Sequence, residues 1–304
     1  MQYVTDLMLF QSECDSAVTL GKFDALHLGH QKLIKKIKGY SESDQVQSVV
    51  FAFDMHKDSL VTREEKRALL EDKVDVLISC PFTKDIREMP AETFVEKILV
   101  EKLRARYIVV GSDNRFGYQA RGDVNMLRDL APKYGYHLDV VEKEKYDGRV
   151  ISSTYIRELM TEGNIALANR LLGYPYEVKG CVKPGNRIGR TLGFPTMNVE
   201  APEHKILPKY GVYCCRANVD GLWYPAIGNV GVKPTVEEKG RAMTEVNLFD
   251  YHEEAYGKEI TVQFCEFERP EQKFANVEAL KAQLEKDILF GKQYFQELEK
   301  NACK

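Results

Sequence analysis

The feature that most constrains the fold is a change of texture near Leu171-Leu172-Gly173. Before it, short apolar runs rich in β-branched residues, at 17–20, 46–53, 74–78, 107–110 and 137–141, alternate with segments of helical period. Parallel strands need a crossover, usually a helix, so this alternation predicts a doubly wound parallel α/β sheet. The helix over 31–38 carries Leu33, Ile34 and Ile37 on one face and is expected to stop at Gly39, and Thr62 with Glu65 makes a capping box that opens the next. After Gly173 the chain turns to strands. Asp220-Gly221 divides apolar runs at 212–219 and 222–227, a strong hairpin signal. Ile260, Val262 and Phe264 alternate with Thr261 and Gln263, and Val277, Leu280, Leu284 and Ile288 then mark one face of a long closing helix. The chain therefore reads as an α/β domain over 1–173 and a β-rich domain over 174–304, and 304 residues suffice for two cores.

The bulk charge excludes several partners. With 43 Lys plus Arg against 46 Asp plus Glu, the net charge of -3 gives no overall attraction for nucleic acid or an anionic membrane. Phosphate chemistry must then be local. The first ten residues lack a basic start leading into an apolar core, and no stretch approaches the ~20 apolar residues of a bilayer span, so a soluble, unexported protein is expected. Seven cysteines, none in a Cys-x-x-Cys pair and two adjacent as Cys214-Cys215, suit reduced thiols and a cytoplasmic location.

The first expected strand runs into Gly21-Lys22-Phe23-Asp24-Ala25-Leu26-His27-Leu28-Gly29-His30 and then a helix. A turn at the carboxyl edge of a parallel sheet, beside a helix N-terminus, is where anions bind. Gly29 lets backbone approach a phosphate, and His27 and His30 can donate hydrogen bonds as charge develops on leaving pyrophosphate. The same histidines would also serve as cap or packing residues. A metal is disfavoured, because no third His or Cys sits at ligand spacing and Asp24 alone completes nothing. A second cluster, Ile151-Ser152-Ser153-Thr154-Tyr155-Ile156-Arg157, puts three hydroxyls at a helix start with Arg157 one turn in. It suits phosphate, though plain capping would use the same residues. Lys32, Lys35, Lys36 and Lys38 fall largely opposite the apolar face of their helix, without aromatics to make a stacking surface, and read as a solvated face.

In the second half, Val182-Lys183-Pro184-Gly185-Asn186-Arg187-Ile188-Gly189-Arg190-Thr191-Leu192-Gly193-Phe194-Pro195-Thr196-Met197-Asn198 spaces three glycines by four residues with basic side chains between them. Gly185, Gly189 and Gly193 keep backbone N–H groups open to phosphates, with Arg190 and Pro195 in the same loop; a glycine-rich surface loop is the alternative. It is neither a Walker loop nor a dinucleotide fingerprint. Thr196 and Asn198 are hard oxygen ligands able to share Mg²⁺ with ATP phosphates, and Glu245, on an expected strand, can accept the proton of an alcohol attacking the γ-phosphorus.

Together these motifs resemble bacterial bifunctional riboflavin kinases/FAD synthetases, whose N-terminal module is a nucleotidyltransferase. The likeness rests on His27-Leu28-Gly29-His30, Thr62 to Lys66, Gly111-Ser112-Asp113-Asn114-Arg115-Phe116-Gly117 and Ser152 to Arg157; then on Gly180, the run from Gly185 to Asn198, Leu207-Pro208, Gly211-Val212-Tyr213, Asn229 to Thr235, Glu245 to Asp250, Tyr256-Gly257, Phe267-Glu268-Arg269 and Phe274. It implies an N-terminal ATP site using Gly21, Phe23, Asp24, Gly29, His27, His30, Ser152, Ser153, Thr154 and Arg157, with FMN near Asp113 and Asn114. For the C-terminal half it implies a six-stranded antiparallel barrel with a terminal helix, Thr196 and Asn198 at Mg-ATP, Glu245 as base, and flavin near Tyr251, Tyr256, Arg269 and Phe274. The substrates and products would be riboflavin, FMN, FAD and ATP. The chain departs from the family pattern at Lys22, Ala25 and Asn114, and in Phe53-Asp54-Met55-His56-Lys57, where both usual prolines are missing. The alternative within the family is a kinase with a slow N-terminal module. A non-catalytic flavin sensor should have lost Thr196, Asn198 or Glu245, and an RNA-binding regulator should carry a basic aromatic face; neither condition is met.

Overall fold

A computed structural model describes residues 1–54, 58–185, 189, 192–232 and 242–302. Packing divides the chain into two compact units, Met1–Ser153 and Thr154–Lys304. The division falls ahead of the 173/174 boundary read from the sequence, because helices α6 (Ser153–Glu162) and α7 (Ile165–Leu172) are tied to residues of the second unit. Asn169 Nδ2 donates to Phe264 O at 2.7 Å, Tyr176 N to Asn169 Oδ1 at 2.7 Å, and Lys209 N to Met160 O at 2.9 Å.

The first unit is built on strands β1 (Gln2–Val4), β2 (Ser16–Gly21), β3 (Gln47–Asp54), β4 (Val76–Pro81), β5 (Ala105–Gly111) and β8 (His137–Val141), in the order β1-β4-β3-β2-β5-β8 and all parallel. Short ribbons β6/β7 (Arg115–Phe116, Gly122–Asp123) and β9/β10 (Lys145–Tyr146, Arg149–Val150) decorate it. Its helices are α1 (Leu28–Asp44), α2 (Arg63–Leu70), α3 (Lys84–Glu88), α4 (Ala91–Thr93), which runs on as a π-helix over Phe94–Lys102, and α5 (Val124–Tyr134). Burial of β2, β3 and β4 on both faces explains why they read as continuous apolar runs. The capping box at Thr62 and Glu65 forms as expected, opening α2.

Helix α1 corrects one expectation: it passes Gly39 and ends at Gln45, in the left-handed region at φ 55. A mid-helix glycine costs ~1 kcal/mol. Beyond it, Tyr40 Oη donates to Asp139 at 2.9 Å and Ser41 Oγ to Asp75 at 3.0 Å, tying the last turns to neighbouring segments and offsetting that loss.

The second unit is a closed antiparallel barrel of β11 (Glu177–Lys183), β12 (Met197–Glu200), β13 (Gly211–Val219), β14 (Leu222–Val232), β15 (Ala242–Leu248) and β16 (Glu259–Pro270), joined in the order β11-β12-β15-β14-β13-β16. Closure through the β11–β16 pair leaves no sheet edge. The Asp220-Gly221 hairpin forms as expected, with φ 52 and 87. Tyr213, Cys215, Ala217, Val246, Val262 and Phe264 fill the interior. Residues of the other parity, Val212, Cys214 and Ile227, pack instead against Phe295 and Ile288 of the terminal helix α8 (Val277–Ala302). Val277, expected on that face, is 55% exposed; the apolar stripe starts a turn later.

Strand β16 is irregular against β13. Val212 pairs with Arg269 and Tyr213 with Phe267, so Glu268 is an extra residue in a β-bulge; Cys265 is a second, between partners of Cys214 and Cys215.

Candidate active sites

In the first unit, chain order reverses at β2: β3 and β4 extend to one side, β5 and β8 to the other. Ligands bind in the crevice that such a reversal opens at the carboxyl ends of parallel strands. The turn from Gly21 to His27 sits there, with buried Phe23 and Leu26 in the left-handed region at φ 48 and 44. Asp24 Oδ1 fastens it by accepting from Leu60 N at 2.9 Å. His27 caps α1, its Nδ1 accepting from His30 N at 3.4 Å. A neutral imidazole that accepts at Nδ1 carries its proton on Nε2, which becomes a donor. The rings of His27 and His30 stack at 3.8 Å, and a Cβ at Gly29 would press on the His27 ring at 3.2 Å, so glycine permits the cap.

Burial lowers the His27 pKa to about 4 and, with His27 and Lys66 nearby, holds His30 well below 6.5. Both are neutral donors near pH 7. His30 Nδ1 is buried and has no hydrogen-bond partner among the described residues. Buried Lys66 reaches Lys22 O at 3.3 Å and Asp54 Oδ1 at 3.4 Å, while Asp54 also pairs with Arg63 at 2.9 Å and accepts from Ser79 Oγ. Nothing in the run Thr62 to Lys66, taken as sequence, marks this anchor, which braces the turn from behind.

The departures take definite places. Lys22 is exposed, Ala25 is fully buried, and 55–57 and Arg190 lie outside the described residues. Asn114, in the turn that follows β5, donates from Nδ2 to Leu20 O at 3.1 Å and so ties that turn to the end of β2. Asp113 is exposed and pairs with Lys143 at 2.7 Å. Ser152 and Ser153 are half-buried at the start of α6, Thr154 is exposed, and Arg157 is half-buried one turn on. Lys32 and Lys36 pair with Glu144 and Asp139, as suits a solvated face.

In the second unit, register places Asn198 on β12 directly opposite Glu245 on β15, and Glu245 opposite Asn229 on β14. Cross-strand partners share a face, so the three form a row. A cavity of ≈ 300 Å³ lies between this outer face of the barrel and α8; Gly189, Thr196, Glu245, Arg269 and Phe274 line it, joined by Asn229 and Asn247 from the runs that carry the family likeness and by Asp287, which the sequence did not single out. Leu284, Ile288, Val212 and Ile227 give it an apolar side suited to an aromatic ring. Tyr256 stands apart in a turn, 37% exposed, and Tyr251 packs on Tyr224. Pro195 O accepts from Asn247 at 2.7 Å, fixing the end of the glycine loop. Gly193 takes φ 86 with open space around it.

The donor set of Thr196 and Asn198 fits a magnesium ion brought in by a nucleotide, since neutral oxygens suffice when phosphates supply the charge. No His, Cys, Asp and Glu cluster able to hold a metal by itself occurs among the described residues. Gly185 is essential to this corner, because a Cβ there would lie 2.1 Å from Asn198 Nδ2. Gly185→Ala should therefore bring overpacking strain of roughly 1–3 kcal/mol. If that strain falls on the reactive arrangement, FMN forms about ten- to a hundredfold more slowly, measured as an initial rate from riboflavin. A parental rate would mean that Asn198 moves aside without consequence.

An α/β half and a cavity-bearing barrel, each matched by the model of a transferase family, make a two-module transferase. The FAD synthetase family model matches residues 9–155 and the riboflavin kinase model residues 172–295. The chain is 36% identical over 303 residues to a bifunctional riboflavin kinase/FMN adenylyltransferase of Listeria monocytogenes, covering 95% of each, and 35% identical over 308 residues to one of Bacillus subtilis, covering 96% of each. A solved structure from Streptococcus pneumoniae, described as a macrolide-efflux protein, matches with a TM-score of 0.86 at 28% identity, covering 95% of this chain and 98% of that one. The chain belongs to the bifunctional riboflavin kinase/FMN adenylyltransferase family. No helix among the described residues is long and apolar enough to cross a membrane.

Proposed function

We propose that the chain phosphorylates riboflavin to FMN with one ATP and adenylylates FMN to FAD with a second. The observation that carries the kinase half is the cavity wall that brings Thr196, Glu245, Arg269 and Phe274 together. There the ribityl 5′-oxygen attacks the γ-phosphorus of ATP, its proton passes to Glu245, and the bond to the ADP oxygen breaks. Thr196 and Asn198 are the residues that would hold Mg²⁺, which neutralises phosphate charge when bound. Arg269 and Phe274 are assigned to flavin, and the glycine loop with Arg190 to phosphates. Tyr256 lies away from this cavity, so its flavin role has less support.

In the first unit an FMN phosphate oxygen attacks the α-phosphorus and pyrophosphate leaves. No protein nucleophile is needed. His27 and His30 donate to the charge that develops on the leaving group, and Gly21, Phe23, Asp24 and Gly29 shape the phosphate turn. Ser152, Ser153, Thr154 and Arg157, from the segment at which the first unit gives way to the second, are assigned to ATP, and Asp113 and Asn114 of the first unit to the FMN side. The reaction suits the cytoplasm, where ATP and reduced thiols are found.

Incubating the purified chain with riboflavin and Mg-ATP, and separating the flavins over time, tests this reading. FMN should accumulate first and FAD follow after a lag, which excess FMN shortens, because Asn114 offers no ring for a flavin or adenine to stack on. Absence of FMN would overturn the proposal; FMN without FAD would leave a kinase alone.

A further inference from the structure

The kinase cavity contains one charged contact that phosphoryl transfer does not use. Arg269 donates from Nε to Asp287 Oδ1 at 2.9 Å and from Nη2 to Asp287 Oδ2 at 2.5 Å, a two-pronged pair, and Gln283 Nε2 adds a bond to Oδ1 at 2.7 Å. Asp287 is 1% exposed, and it and Arg269 both line the cavity. A buried ion pair is weak support for stability, since desolvation consumes most of its attraction, whereas a planar fork held at both prongs is strongly oriented.

Glu268 enters the same cluster through the bulge. Neighbours in a regular strand point to opposite faces, but the extra residue re-aims its side chain, and Glu268 and Arg269 both meet Asp287. Glu268 Oε2 is buried without a hydrogen-bond partner among the described residues. The titratable and charged groups recorded against it are Asp287 from α8, Arg269 beside it on β16 and Cys214 from β13. Two carboxyl groups that meet in a buried corner repel one another unless one of them holds a proton.

We propose that Asp287 is a positioning residue of the kinase, fixing the Arg269 fork in the cavity wall for flavin binding, and that Glu268 governs this hold by donating a proton bond to Asp287. The inference rests on the kinase reading of this cavity. Burial and the adjoining Asp287 carboxyl push Glu268 up to about 7, so the proton is lost as pH passes through neutrality. Once ionised, Glu268 repels Asp287 and competes for the same guanidinium, and the fork loosens. The sign for stability agrees: a carboxyl whose pKa rises on folding, here from 4.5, stabilises fully below that value and loses the contribution as pH climbs through about 7.

The test measures riboflavin KM and kcat from pH 6 to 8 with saturating Mg-ATP, so that titration of ATP itself is common to all proteins. Asp287→Asn should raise riboflavin KM at least about tenfold while kcat stays within about threefold. The wild-type KM should rise with pH through neutrality, and Glu268→Gln, whose amide donates at every pH, should flatten that rise and the matching fall in melting temperature. Asp287→Asn with parental KM, or with a loss confined to kcat, would overturn the proposal, as would a Glu268→Gln profile superimposable on wild type. Should Asp287→Asn fail to fold by circular dichroism, the Glu268→Gln profile decides. A wild-type chain that makes no FMN would instead remove the kinase reading itself.

Discussion

Glu245→Gln is expected to reduce FMN formation from riboflavin by about 10² to 10⁴, the scale of a lost general base, while conversion of supplied FMN to FAD stays near normal. The substitution keeps shape and removes the proton acceptor. Glu245 sits between Asn198 and Asn229 in a row on three neighbouring strands and lines the cavity, so a glutamine of equal size disturbs neither register nor packing. The separation of activities comes from the division of the chain, since Glu245 belongs to the unit beginning at Thr154 and His27 and His30 to the unit ending at Ser153. Flavin chromatography with each substrate supplied separately makes the measurement. Loss of both reactions in a protein with wild-type circular dichroism would contradict the assignment of the kinase to the barrel.

His30→Ala should act in the opposite sense, lowering FAD formation from supplied FMN by about 10² or more with kinase activity retained, because one donor to developing negative charge is removed. His30 Nδ1 has no partner among the described residues, while its ring stacks on His27 at 3.8 Å and packs on Phe23 at 5.0 Å, so the imidazole is held in place by the protein itself. A second readout comes from acid. Histidines whose pKa falls on folding, from 6.5 to about 4 for His27, contribute stability that is present above 6.5 and lost as pH drops through that window. The acid dependence of unfolding should be shallower once His30 is gone. An unchanged rate of FAD formation would make the pair structural, a cap and its packing partner.

Much of this was legible in the sequence because buried parallel strands have a loud signature. β2, β3, β4 and β5 are β-branched runs, and the histidine turn falls where the first of them meets a helix. What escaped did so for identifiable reasons. β1 has three residues, too few for a pattern, and α1 outran Gly39 because bonds from Tyr40 and Ser41 are tertiary and leave no local trace. The barrel was implied by family likeness, since alternating strands alone do not reveal that β11 and β16 close on each other. In the sites, Thr196, Glu245, Arg269 and Phe274 share one cavity, whereas Asp287 was not singled out, since an acid on an amphipathic helix carries no local sign of burial. Glu268 reaches it from a bulge in β16, and a bulge is invisible until the partner strand is known.

The left-handed backbone at Phe23 and Leu26 has a consequence for turnover. Each such residue costs ~1 kcal/mol or more relative to an ordinary conformation, and neither is glycine. Both side chains are buried, Asp24 is bonded to Leu60 N, and Lys66 grips the carbonyl of Lys22, so the surrounding core holds the bend whether or not a nucleotide is present. The turn assigned above to phosphate is thus shaped once, when the chain folds, and on that assignment each incoming triphosphate would meet a finished mould instead of having to cast one at every cycle.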